Sequence, residues 1–405
     1  MSGIQFKNVF FGVVGAAMVL SGCGFQSASA AQQPALQNAA GIYGKNPGDG
    51  FLSPFSLVNP SMQRLLLINF ENNPDSVYRG FEMQSFDDAQ NGKGLLIIAY
   101  RTDYTIDIYH QPGVTPQANY DIVEGGLVDM LERPLENARF EIGAQGADVQ
   151  FAFEYKLGHP VAVTLKESNP KPPLRFSLLA PLGSGATNPP SMTLFMLHDF
   201  DLVRRANTVL DIQIDGKTIT PDTLPLPVNW QSNYLTRYSA DPFLVEWNPN
   251  FDGALTRLQT QGAGSFEQAG MVYDLVDNQG HWEMSGIRLQ NDKHAVQIHF
   301  NPAFPDAAAL QDGTQVQGSF SIDMEASIGK IDGSYSVQRS GDQVKVQVIP
   351  GGWQPTERDV FVNALYLFVP IFKSWPSTYQ WDASIDLSQP EQPMMQSAWS
   401  RIDKE

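Results

Sequence analysis

Cysteine is almost missing from this chain: there is one, Cys23, in 405 residues. An internal disulfide is therefore excluded, and a thiolate-rich zinc site with it. Basic side chains are also scarce, 26 Lys and Arg against 43 Asp and Glu, for a formal net charge of −17. A body of that sign repels nucleic acid and anionic headgroups, which argues against both as partners of its surface. Past residue 22 no apolar run is long enough to cross a bilayer as a helix. Nucleophile elbows, phosphate loops and dinucleotide fingerprints are missing too. Gly183-Ser184-Gly185 lacks the elbow spacing, sits among prolines and reads as a loop.

What is present begins with an export signal over residues 1–22. Lys7 and the amino terminus supply positive charge, and Val9 to Leu20 is apolar, long enough for a signal core and too short to span. The run ends in Leu20-Ser21-Gly22-Cys23, which resembles the lipobox of bacterial lipoproteins. The resemblance implies cleavage before Cys23, lipid on its thiol, and a membrane as partner through that anchor. Several acyl chains hold firmly where one holds marginally. Gly24 after the cysteine resembles cargo sent to the outer membrane, facing the periplasm. The alternative is cleavage after Ala28-Ser29-Ala30, which leaves the one cysteine in the discarded piece. With Lys7 gone, the body carries −18.

Residues 23–50 are small, polar and without apolar periodicity, and read as a flexible tether with a reach of roughly 30 Å. From about 78 to 349 a period of two dominates. Val149, Phe151, Phe153 and Tyr155 alternate with polar neighbours, as do Val296, Ile298 and Phe300, and Val344, Val346 and Val348. Such alternation places one face on a core and one in water, the habit of antiparallel sheets. Asn91-Gly92, Asp215-Gly216, Asp312-Gly313, Asp332-Gly333 and Ser340-Gly341 are turn signals. Leu95–Tyr100 is apolar on both faces and predicts a fully buried strand. Residues 61–70 fit a short helix or a strand, and 356–369 fit a buried apolar helix or strand ended by Pro370.

The fold class is therefore all-β and mainly antiparallel, as two tandem β-barrel or β-sandwich units with few short helices. Proline-rich stretches break the pattern, and 221–227 is the expected boundary, giving an N-terminal domain 51–227 and a C-terminal domain 228–405. Two β units of this size resemble the two-domain lipocalin-like proteins, among them carotenoid hydratases and related lyases. The resemblance is one of architecture and carries no site residue across.

Candidate chemistry is thin. Asp211-Ile-Gln-Ile-Asp215-Gly216, with Asp222, mimics a calcium loop, but Ile212 and Ile214 alternate as in a hairpin strand. His198 shares a strand face with Leu194 and Met196, where a histidine is held neutral and can act as a general base or simply bond the backbone. His294 and His299 point to opposite faces of one strand. His281 and Glu283 share a face without a further convergent ligand. Six scattered histidines predict no metal site and no cofactor. Trp230, Tyr234, Arg237, Tyr238 and Trp247 gather rings and a cation in one segment, as a ligand cleft or as interdomain packing does. The leading expectation is binding of an apolar or amphipathic small ligand, lipid- or terpenoid-like, in a β-walled cavity. Two alternatives stand beside it: a lyase, hydratase or isomerase with His198 and Tyr234 moving protons, and envelope glycan recognition on exposed tryptophans.

Overall fold

The computed structural model describes residues 41–44 and 50–402, apart from 117–119, 121–122, 156–157, 171–174, 184–185, 225–231, 261–262 and 357–359. The signal, Cys23, most of the tether and Trp230 lie outside the described residues.

Strands build most of the body, in three sheets, with short helices between Val360 and Thr378 among the described residues. A nine-stranded sheet runs Phe176–Ala180, Met192–Arg204, Asn233–Trp247, Arg64–Asn69, Tyr78–Asp88, Gly92–Arg101, Ile106–His110 and Leu127–Glu132, with Leu57–Val58 beside Asn233–Trp247. A five-stranded sheet takes Lys217–Ile219, Thr208–Ile214, Pro160–Glu167, Gly146–Glu154 and Glu136–Gly143. The ten-stranded C-terminal sheet holds the described strands from Phe251–Ala254 to Met394–Arg401. Among the described strands, pairing is antiparallel except where Ile106–His110 meets Leu127–Glu132. Residues 61–70 contribute the strand Arg64–Asn69, and the apolar stretch before Pro370 is a helix, Val360–Phe368.

The nine-stranded sheet is central because both of its faces are apolar. Leu66, Ile68, Leu95, Ile97 and Ala99 belong to one core, shared with Val149, Phe151, Phe153 and Val163 of the five-stranded sheet. Leu65, Leu67, Leu96, Ile98 and Tyr100 belong to the other, shared with Ile287, Ile298, Phe320, Val346 and Trp381 of the ten-stranded sheet. A period-two backbone sends odd and even residues of Leu95–Tyr100 into different cores, so the run without polar alternation is the strand buried on both sides.

Two expected boundaries move. The strand Asn233–Trp247 pairs with Met192–Arg204 and with Arg64–Asn69, so the chain leaves the N-terminal unit after Trp247 rather than at 227/228. Proline interrupts a strand locally, whereas sheet membership follows from which edge offers a ladder. The tether is docked before residue 50. Ile42 O accepts from Gln311 N at 2.7 Å, and Gly44 N donates to Ala309 O at 3.2 Å. Tyr43 stacks on His281 at 4.1 Å and donates its hydroxyl to Glu283 at 2.8 Å.

Between the nine- and five-stranded sheets, Asp201 is buried beside Glu167 and Tyr238. Burial raises its carboxyl to about 7 from the ordinary 3.8, and the Glu167 charge adds to this. A folded value above the unfolded one means that the native state binds the extra proton between about pH 4 and 7. Its contribution is full below that window and is lost as pH rises through it. Asp201→Asn keeps an oxygen for the Leu202 amide, which donates at 2.8 Å. The variant is expected to lose part of the wild-type decline in urea stability between pH 4.5 and 8, and to be the more stable protein at pH 8. Parallel curves for the two proteins would count against the assignment.

Candidate metal centre

Two of the six histidines converge where the two units meet. His198 sits on Met192–Arg204, directly across from Asp241 on Asn233–Trp247. The register against Phe176–Ala180 slips between Phe176 and Leu178, and Asp199 takes a left-handed φ of 49°, a bulge next to the histidine. Bulges of this kind re-aim a side chain. Asp199 itself turns to Arg175 at 3.0 Å.

His294 ends the turn between His281–Gln290 and Ala295–Pro305. Asn291 Oδ1 accepts from Lys293 N at 2.8 Å and His294 N at 2.7 Å, an Asx turn that fixes the approach. Glu325 follows Gln315–Asp323 and opens a tight loop whose carbonyl accepts from Ile328 N at 2.8 Å and Gly329 N at 2.9 Å. The loop needs glycine at 329, where φ is +109° and a Cβ would stand 2.2 Å from Gln354 O.

The imidazoles of His198 and His294 stack with centroids 4.0 Å apart and planes within 4°. Glu325 faces both, with Oε2 3.4 Å from His198 Nε2 and Oε1 2.7 Å from His294 Nδ1. On the far side His294 Nε2 is 3.2 Å from Asp241 Oδ2, which Lys293 Nζ also approaches at 3.1 Å. One donor atom from each of His198, His294 and Glu325 can be chosen so that all lie within 4.8 Å of one another. The histidine side chains are 9% and 10% exposed, the Asp241 and Glu325 carboxylates 28% and 31%, so the path from solvent runs past the carboxylates.

Burial, then the neighbouring His294, hold His198 below its ordinary value, against the pull of Glu325 and Asp241. A neutral imidazole keeps a lone pair for a metal. His198 Nε2 is enclosed and has no hydrogen-bond partner among the described residues, despite the carboxylate nearby. Histidine nitrogens with a carboxylate suit zinc, copper or nickel rather than calcium or magnesium. Asp241 Oδ2 stands 3.2 Å from His294 Nε2, which like His198 Nε2 makes no hydrogen bond among the described residues, so the carboxylate acts on that ring by its charge.

Where the sequence predicts no metal cluster, His198, His294 and Glu325 stand as a group that could hold an ion. In the sequence His294 is set only against His299, and Glu325 carries no signal. A mark in retrospect is His198 itself, an isolated histidine in a long apolar strand.

The other sequence candidates do not gather here. Tyr234 lies seven positions along its strand from Asp241, roughly 23 Å away, bridged to Thr223 and under the Arg205 guanidinium. It cannot share a proton relay with His198. Arg237, Tyr238 and Trp247 are each 0% exposed. Tyr238 points into the core with the five-stranded sheet and Trp247 into the opposite one. Arg237 donates to Asn69 and to Leu235 O, near Glu82, and burial lowers it to about 10. Their segment is a strand buried on both faces, so these three residues pack the interior rather than line one cleft. The calcium-like run is a hairpin, with Asp215 and Gly216 at positive φ and Gln213 donating to Asp211 at 2.7 Å.

No protein-family model, curated protein or solved structure matches this chain.

Proposed function

We propose that this chain is a lipid-anchored protein of the cell envelope that holds a divalent transition metal at the seam of its two β units. The observation that carries the metal reading is the convergence of His198 Nε2, His294 Nδ1 and Glu325 from three elements, with Asp241 behind His294. Three protein donors leave a coordination position for water or another ligand. The anchor is supported by the lipobox at Cys23 and by the absence of any other cysteine.

An apolar-ligand reading draws less support. Phe55 packs on Phe300 at 5.1 Å, Phe304 at 4.8 Å and Trp381 at 5.6 Å, so rings fill the space inside the ten-stranded sheet where such a ligand would lie. A glycan reading asks for exposed tryptophans. Trp247, Trp353, Trp375, Trp381 and Trp399 are buried and Trp282 is half-buried. An open groove of about 630 Å³ on the outer face of that sheet is lined by Gln338, Lys345, Gln347, Asp382, Ser384 and Gln396, without a ring.

The test is calorimetric titration of the full mature chain, stripped with chelator, with zinc, copper(II) and nickel chlorides at pH 7.5. One site per chain with preference over calcium and magnesium is expected. Equal, weak heats for all five ions would mark diffuse binding to an acidic surface and remove the reading. For the anchor, Cys23→Ala is expected to leave the membrane fraction for the soluble one, and its retention on membranes would overturn that half.

A further inference from the structure

We infer that a metal bound by His198, His294 and Glu325 acts as a latch, fastening the N-terminal unit to the C-terminal sheet at the end of the seam away from Trp247. The inference rests on the metal reading above and adds what the metal does to the fold.

Each unit supplies one imidazole and one carboxylate. His198 and Asp241 stand on strands of the central sheet, and His294 and Glu325 on turns of the ten-stranded sheet. The seam between the sheets is one continuous core, and its character changes along the strand Asn233–Trp247. At Trp247 it is apolar: the indole meets Phe320 at 5.2 Å, Trp399 at 5.7 Å and Phe55 at 6.3 Å. At Asp241, six residues back and roughly 20 Å away, the contact is made by the stacked imidazoles and carboxylates, with Phe243 5.6 Å from the His294 ring. Ion pairs whose carboxylates are about a third exposed contribute little by themselves. This end is therefore the weaker fastening in the absence of metal.

The geometry is short of a closed coordination sphere. The pair across the seam, His198 Nε2 and Glu325 Oε2, stands at 3.4 Å, and His294 Nδ1 is 2.7 Å from Glu325 Oε1. Tetrahedral ligands at about 2.0–2.1 Å stand about 3.3–3.5 Å apart. The two imidazoles are parallel and aim their in-plane lone pairs side by side, so binding must tilt one ring out of the stack. His198 is on one unit and both other donors are on the other, so a bound ion ties the units together. A ligand that binds the closed seam and not the opened one suppresses opening in proportion to its saturation, about 100-fold at a free concentration 100 times Kd.

Hydrogen exchange of the wild-type mature chain, with and without zinc at about 100 times the calorimetric Kd, tests this directly. Exchange by opening at 194–200, 239–243, 291–296 and 323–329 is expected to slow by up to about 100-fold, and Pro160–Glu167 in the five-stranded sheet to stay unchanged. His198→Ala, which leaves His294 and Glu325 on one unit, is expected to lose the protection at 194–200 and 239–243. Zinc binding with unchanged exchange at all four segments would overturn the latch and leave the metal site standing. Loss of zinc binding itself would remove both.

Discussion

His294→Ala is expected to weaken zinc binding by more than about 100-fold, and Asp241→Asn by about 10–100-fold, both read by calorimetry at pH 7.5. The order follows from the two nitrogens of one ring. Nδ1, 2.7 Å from Glu325, faces the metal position, while Nε2 faces Asp241 at 3.2 Å. Removing the ring deletes a ligand. Replacing Asp241 by its amide keeps the shape of the side chain and loses the charge that makes the imidazole a better donor. Lys293→Ala is the control, because its ammonium is 66% exposed and meets Asp241 from outside. An exposed pair of this kind contributes about 0.2–1 kcal/mol at most, so its affinity is expected to stay close to wild type. Equal affinities across the series, with circular dichroism showing all three folded, would place the bound ion elsewhere on the acidic surface.

Trp247→Ala is expected to cost about 3–5 kcal/mol of unfolding free energy, followed by far-ultraviolet circular dichroism in urea. The indole is fully buried, and its strand is held in register by Leu57 on one side and Met192 on the other. Neighbours pinned in two ladders cannot collapse into the vacancy, and poor collapse is what puts a truncation at the high end of its range. Its Nε1 has no hydrogen-bond partner among the described residues, so the loss is one of packing. Trp247→Phe should therefore recover most of it. Tyr234→Ala, at the half-buried end of the same strand, should cost about 1 kcal/mol. If the two truncations cost the same, Trp247 is not the apolar fastening of the seam.

The legibility of this protein divides along the same lines. Alternation at 149–155, 296–300 and 344–348 gave away strands, because side-chain direction in a strand reverses at every residue whatever the rest of the chain does. Leu95–Tyr100 announced a strand with two buried faces for the same reason. Asp215-Gly216 announced its hairpin, because its two central residues must take positive φ. Trp230–Trp247 misled, since rings and a cation in one segment serve a cleft or a core equally well. Only the identity of the neighbouring strands separates the two.

By itself, then, the order of residues determined the strand character, the mainly antiparallel habit, the scarcity of helices and most of the turns, all of which depend on groups a few positions apart. Asp332-Gly333, read as a turn, lies within the strand Lys330–Ser340. The tertiary structure alone decided that Asn233–Trp247 joins the sheet before it, that this sheet is covered on both faces, and that His198 meets His294 and Glu325. Those are matters of register between distant strands. Register is set by burying whole faces at once, and no local period encodes which two faces will meet.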